Sequence, residues 1–334
     1  MSSYFVRPTV PARYLAELLE WSGVDAKRAL EAAALPAGAH QLSRFRVTAE
    51  QVVRLYSVVR RACGDELFGF ARRKVPPGTY AVAMRLATGC PNAAEFIECA
   101  TRLYGLFDEG HRYWRVKRAG NVATLSIDFR EPRQRRSIFF VHSMLLTPWR
   151  SASWLVGEPI VLTSVRIDPA FREFRGETEF MFGREPLFEK DVAEVSFDAA
   201  WLDAPIRRAP ADADEYVKTS LRSLLSAPAG DTLEGRVRRE LIAHPSGEVA
   251  TLPEIAARLR LSRATLARQL HARGLSFQGI KDELRRDRAI ALLEGGVSSV
   301  ADISDTLGFS EPSAFTRAFK SWTGVAPGRY RPTR

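Results

Sequence analysis

The sequence holds few of the groups from which enzymes and metal sites are built. Its three cysteines, Cys63, Cys90 and Cys99, form no CxxC pair, so neither a disulfide framework nor a thiolate metal centre is expected. The five histidines, His40, His111, His142, His244 and His271, lie apart, with no cysteine or carboxylate at metal-ligand spacing. There is no GxSxG elbow, no Walker loop, no GxGxxG after a strand and no HExxH helix. These absences predict no catalytic residues, no cofactor and no metal. A long apolar run is missing as well. The best stretch, from Ile138 to Val156, is interrupted by His142, Pro148 and Arg150, short of the ~20 uninterrupted apolar residues of a membrane span. Residues Met1 to Pro8 lack the basic and apolar regions of a secretion signal. The expectation is a cytoplasmic protein with no membrane partner.

What is present is an ordinary globular composition, 46% hydrophobic and 26% charged, over 334 residues. At ~150 residues per domain that length suggests about two domains. The net charge is +10, and it is not spread evenly. From Thr232 to Arg334 there are 17 basic and 11 acidic residues, so this last third carries six of the ten surplus charges. A basic terminal region raises the expectation of a polyanionic partner. Linker signals, proline and alanine mixed with charge, run from Ala204 to Asp214 and again from Ala227 to Asp231. The predicted organisation is an α+β domain over 1–208, a linker over 209–231 and an all-α domain over 232–334.

In the first domain, helical spacing covers Arg13 to Trp21, Ala26 to Ala34, Ala49 to Ala62, Tyr80 to Thr88 and Ala93 to Phe107. Thr48 and Gln51 form a capping box ahead of the third of these. The period then changes. His111 to Lys117 and Val122 to Phe129 read as a hairpin, Phe139 to Leu155 as a long apolar helix, and Val161 to Ile167 and Thr178 to Phe182 as strands.

The last third contains one pattern twice. Thr251/Glu254 and Ser299/Asp302 are capping boxes, followed by apolar anchors four apart, Ile255/Leu259 and Ile303/Leu307. A turn follows, with Gly308 suited to it in the second copy. A second helix then starts near Ser262 or near Ser310, with anchors Leu266/Leu270 or Phe315/Phe319. Spacing of four puts each pair on one face, and Arg268 and Arg317, two places after the first anchor, face away. This is a helix-turn-helix pattern whose second helix can enter a major groove. The outward residues are Ser262, Arg263, Ala264, Thr265, Ala267, Arg268 and His271 in one copy, and Glu311, Pro312, Ser313, Thr316, Arg317 and Lys320 in the other. The connector from Phe277 to Leu293 carries Lys281, Arg285, Arg286 and Arg288, of which Lys281 or Arg285 could reach only phosphate.

The run Val300 to Arg331, with Ala289 to Glu294 before it, resembles the signature of the AraC/XylS transcriptional regulators. The resemblance spans roughly Thr232 to Arg331 and implies a sequence-specific double helix-turn-helix domain binding double-stranded promoter DNA. Small Ala264 and Ala267 stand where relatives often carry larger base-reading side chains. Val75 to Thr88, Ala93 to Phe107 and Phe180 to Phe188 are similar to the family's arabinose-binding-like regulatory domain rather than to its cupin. That likeness implies a small-molecule effector, a homodimer and RNA polymerase as a candidate partner. Tyr80, His111, Tyr113, Trp114 and His142 are the candidate effector contacts, with core packing as their alternative. Two other readings remain at this stage: a redox-responsive DNA-binding regulator using Cys90 or Cys99, and an enzyme with a DNA-binding tail.

Overall fold

The computed structural model describes residues 9–226, 232–244 and 250–331. By compactness the chain forms two units that do not follow chain order. One gathers the residues through Arg13, Leu30–Val52 and the chain from Asp231 onward; the other holds Tyr14–Ala29 and Val53–Gly230.

The elements up to residue 226 are β1 (Thr9–Pro11), α1 (Ala16–Ser22), α2 (Ala26–Ala32), β2 (Arg46–Thr48), α3 (Ala49–Cys63), α4 (Thr79–Ala87), α5 (Ala93–Gly105), β3 (Trp114–Ala119), β4 (Val122–Ile127), α6 (Pro132–Arg135), α7 (Ile138–Val156), β5 (Leu162–Ile167), α8 (Arg175–Phe182), β6 (Leu187–Phe188), β7 (Ala193–Asp198) and α9 (Pro210–Ser226). Most of the stretch read as a linker is therefore helix; Ala227 to Asp231 lies outside the described residues.

The larger unit is built on a five-stranded sheet in the order β3-β4-β7-β5-β6, antiparallel except for the β5–β6 pair. Strand β4 buries Ala123, Leu125 and Ile127 on one face, the period of two expected of a half-covered sheet. Helix α7 packs on β4 and β7. The Ser137 hydroxyl caps its start by accepting from the Phe140 N–H at 3.0 Å, and Gly157, at φ 81°, ends it. Pro148 sits in its middle and has no N–H for the Met144 carbonyl four residues back. That carbonyl accepts instead from Trp114 Nε1 at 2.6 Å, so the first residue of β3 repairs the proline gap in α7.

Two readings are corrected here. Thr178 to Phe182 is the end of helix α8, not a strand: the Gly183 N–H, with φ 65°, donates to the Glu179 carbonyl at 2.8 Å, a helix C-cap. A short run of alternating apolar residues does not separate strand from helix by period alone. The central strand β7, with Glu194 and Asp198 in a six-residue stretch, was not expected at all.

The smaller unit carries α10 (Leu233–Ala243), α11 (Leu252–Arg258), α12 (Arg263–His271), α13 (Phe277–Gly295), α14 (Val300–Thr306), α15 (Pro312–Thr323) and a closing 3-10 turn (Pro327–Tyr330). Val237, Leu241, Ile255, Leu259, Leu266, Leu270, Ile280 and Leu284 form one apolar core. Strands β1 and β2 pair antiparallel, Thr9 opposite Thr48, and belong to this unit although its C-terminal part begins more than 180 residues later in sequence.

Candidate nucleic-acid interface

Both capping boxes form. The Glu254 carboxylate accepts from the Thr251 N–H at 2.6 Å, and the Asp302 carboxylate accepts from the Ser299 N–H at 2.8 Å. Each fixes the start of a short helix, α11 or α14, too short to be stable by itself. Ile255, Leu259, Ile303 and Leu307 are buried, as are Leu266, Leu270, Phe315 and Phe319 on the second helices. Gly308 takes φ 72° in the second turn. In the first turn the equivalent left-handed residue is Arg260, at φ 57°, which the sequence did not single out.

Helix α12 is capped by Ser262, whose hydroxyl accepts from the Thr265 N–H at 3.1 Å. Helix α15 is not capped at Ser310: its N-cap is Glu311, with no side-chain cap bond, and Pro312 follows at the first helical position. Pro312 supplies the preset φ there and needs no capping partner.

The anchors point inward, so the rest of each second helix is turned out. Ser262, Arg263, Ala264, Ala267, Arg268 and His271 are exposed, with Thr265 half-buried beside the Ser262 hydroxyl at 2.8 Å. Glu311, Pro312, Ser313, Arg317 and Lys320 are exposed, with Thr316 half-buried. The Thr316 hydroxyl donates back to the Pro312 carbonyl at 2.9 Å, and that of Ser313 to Glu311 at 3.0 Å. No ion pair is recorded for Arg268 or Arg317 among the described residues.

The connector corrects another expectation. Lys281 is buried and donates to the Ala250 carbonyl at 3.0 Å, with its ammonium 5.8 Å from the Phe277 ring. Arg285 lies over the Phe309 ring, and Arg286 donates to Asp287 at 2.9 Å. The signal was available: Phe277, Lys281 and Leu284 recur at helical spacing, which places Lys281 on the apolar stripe. Its stem and charge are used inside the unit, not on phosphate.

In the larger unit, Tyr80 and Trp114 bond to α7, Tyr113 packs against its Phe140, and His142 belongs to it. The Tyr80 hydroxyl meets Ser151 Oγ at 2.9 Å, and burial pushes its acidity far down. His111 Nε2 lies 2.8 Å from the Asp128 carbonyl and edge-on to Tyr113 at 4.5 Å. Tyr113 is buried and donates to the Asp108 carboxylate. Trp114 serves the Met144 carbonyl, as above. His142 is buried between Tyr14 and Phe182, its Nε2 3.0 Å from Thr178 Oγ1. Burial pushes it down to about 3, so it is neutral at ordinary pH, and its buried Nδ1 has no hydrogen-bond partner. Cys90 is pushed up to about 11, by burial first and then by the neighbouring Cys99 thiol, which leaves little reactive thiolate. Among the described residues no His, Cys, Asp and Glu cluster of metal-binding size occurs, and no helix is long and apolar enough to cross a membrane.

Residues 23–206 match the arabinose-binding domain of AraC transcription regulators, and residues 255–333 match a helix-turn-helix domain. An ornithine utilization regulator of Pseudomonas aeruginosa is 25% identical over 98% of this chain and 97% of its own. The transcriptional regulator VqsM of the same species is 36% identical over 34% of each chain. Among solved structures, the transcriptional regulator CdpR of P. aeruginosa aligns over 96% of this chain and 97% of its own, at 19% identity and a TM-score of 0.35. With two helix-turn-helix motifs following, in chain order, an α+β domain of the matching type, the chain belongs to the AraC family of transcription regulators, and it is a DNA-binding regulator with an N-terminal ligand-binding domain.

Proposed function

We propose that α12 and α15 enter successive major-groove segments of promoter DNA. Ser262, Arg263, Ala264, Thr265, Ala267, Arg268 and His271 face one segment, and Glu311, Pro312, Ser313, Thr316, Arg317 and Lys320 the other. The observation that carries this reading is the pairing, in both motifs, of fully buried anchors with an exposed arginine two places on. On a 3.6-residue helix that places the arginine opposite the core. The connecting helix α13, 19 residues long, spans about 28 Å at 1.5 Å per residue, close to the ~34 Å repeat of the groove. Arginine can make paired hydrogen bonds to guanine O6 and N7, while lysine and hydroxyls hold phosphates. Arg268 and Arg317 are therefore the base readers.

The larger unit senses a small molecule and mediates self-association into a homodimer in the cytoplasm, and the DNA-bound dimer contacts RNA polymerase. Of the five candidate effector contacts, His142 is the one with an unsatisfied buried polar atom. A ligand donor reaching Nδ1 would remove that cost. Because a relative is named for ornithine utilization, basic amino acids belong in the first effector panel.

The test is titration of the full-length protein onto duplex DNA over a salt series. Phosphate neutralisation predicts a logarithmic affinity that falls linearly with the logarithm of salt concentration. Affinity independent of salt would refute the groove-binding reading. A ligand that raises Tm in the wild type and fails to do so in His142→Phe would support the effector assignment; an equal rise in both would count against it.

A further inference from the structure

We propose that the β1–β2 pair is a strap of the DNA-binding unit that holds the second helix-turn-helix motif in its reading position, which makes that unit discontinuous in sequence. The strap bonds to three places in the C-terminal helices. At α13, the Thr9 N–H and hydroxyl both donate to the buried Asp287 carboxylate, at 3.4 and 2.6 Å. Farther along α13, the Thr48 hydroxyl donates to Glu294 at 2.7 Å. At the closing turn, the Arg46 N–H donates to the Tyr330 hydroxyl at 2.9 Å, and Phe45 stacks on the Tyr330 ring at 4.4 Å and 8°. Tyr330 in turn sits edge-on to Phe319 at 5.2 Å, and Phe319 is the core anchor two places after Arg317.

These contacts form one path from strap to reading helix: Phe45, Tyr330, Phe319, α15. Asp287 shows that the attachment is built rather than incidental. Its carboxylate is removed from water, which would push it up, but Arg286, Arg46 and the Thr9 hydrogen bond hold it below the usual range. A buried charge keeps its place only when such partners are supplied. Arg46 also donates to the Thr9 hydroxyl at 2.8 Å, so the two strands present their contacts as a unit.

The inference rests on the base-reading role of α15, so the two must be separable by experiment. In the full chain Thr9→Val removes the two hydrogen bonds of the Thr9 hydroxyl, to Asp287 and from Arg46, and Tyr330→Phe removes the one from the Arg46 N–H, each with little change of shape. The probe is a duplex enriched from a random library by the wild-type protein. A misheld α15 predicts about tenfold weaker binding to that duplex, the scale of one hydrogen bond to a charged group, with unchanged affinity for random DNA and a footprint shortened at one end only. Both variants binding and protecting the enriched duplex like the wild type would overturn the strap. Arg317→Ala serves as the control: it lowers the preference for the enriched duplex without loosening the strap. If the variants do not fold, hydrogen exchange of the wild type decides. The strap predicts that amides of Thr9, Val10 and 44–48 slow together with those of α15 on the duplex; amides there that exchange as in the free protein would contradict it. If no sequence is enriched, the base-reading account fails, and the same exchange experiment on random duplex still tests the strap.

Discussion

The two helix-turn-helix motifs share a plan and differ in how it is carried out. Both have a capping box, a four-residue anchor pair, a left-handed turn residue and an exposed arginine at the same offset. The first uses leucine anchors, an arginine in the left-handed turn and a recognition face containing Ala264 and Ala267. The second uses phenylalanine anchors, glycine in the turn, a proline start, and a face of Ser313, Thr316, Arg317 and Lys320. Through Phe319 and Tyr330 it is joined to the N-terminal strap. Each face carries five polar side chains, the first interrupted by its two alanines, and the second motif has the strap contacts as well. If both helices enter the groove as proposed, the strap contacts favour α15 as the more discriminating of the two.

The largest effects that sharpen this contrast concern the anchors. Phe315→Ala should cost about 4 kcal/mol and Leu266→Ala about 3 kcal/mol, because both side chains are fully buried and the larger one leaves the larger cavity. Denaturant unfolding of the full chain, followed on the transition of the smaller unit, measures both. Equal small losses would mean that these helices are not held by the anchors.

A second prediction contrasts the units by pH. His142 is held below its ordinary value, so its contribution is complete above the unfolded value of about 6.5 and is lost as pH falls toward about 3. Between pH 8 and pH 5 the larger unit should lose about 2 kcal/mol through this group. In His142→Gln that part of the pH dependence should vanish, while the smaller unit is unaffected. A slope unchanged by the substitution would refute the assignment.

The turns give a third and smaller contrast. Nothing lies within 4 Å of a Cβ placed on Gly308, so the cost of Gly308→Ala comes from its φ of 72° alone, about 1 kcal/mol. Arg260→Gly should move the other way, a gain below about 1 kcal/mol, since Arg260 already bears that strain. Thermal melting distinguishes the signs. The smallest effect is expected from Cys63, Cys90 and Cys99 all replaced by Ser: a modest packing loss and no change in oxidant response, read in a reporter strain at normal protein levels.

Much of the DNA-binding side was legible because its signals are local. Capping boxes and four-residue anchors act within a few residues and recur in the second copy where the first predicts them, and Gly308 marks the second turn by residue type. The same local logic accounts for α7 and for the β3–β4 hairpin. What escaped depends on partners distant in sequence. The three-residue strands β1 and β2 have no periodicity to read, and their meaning lies in Asp287 and Tyr330, nearly 300 residues away. Lys281 reads as a surface charge by residue type, whereas its place on the apolar stripe decides its burial. Trp114 looked like a ligand contact because an exposed indole and one that repairs a proline gap are the same letter. The effector contacts stayed unreadable for a related reason: an aromatic side chain that packs and one that binds differ only in what lies next to them.

The central claim, that the exposed face of α15 reads sequence, is tested most directly by one competition experiment. Wild type and Arg317→Ala are compared at fixed salt on a duplex enriched by the wild type and on random duplex. The account predicts that Arg317→Ala loses roughly 1–3 kcal/mol of preference for the enriched duplex and keeps most of its affinity for random DNA. An unchanged ratio of the two affinities would contradict it.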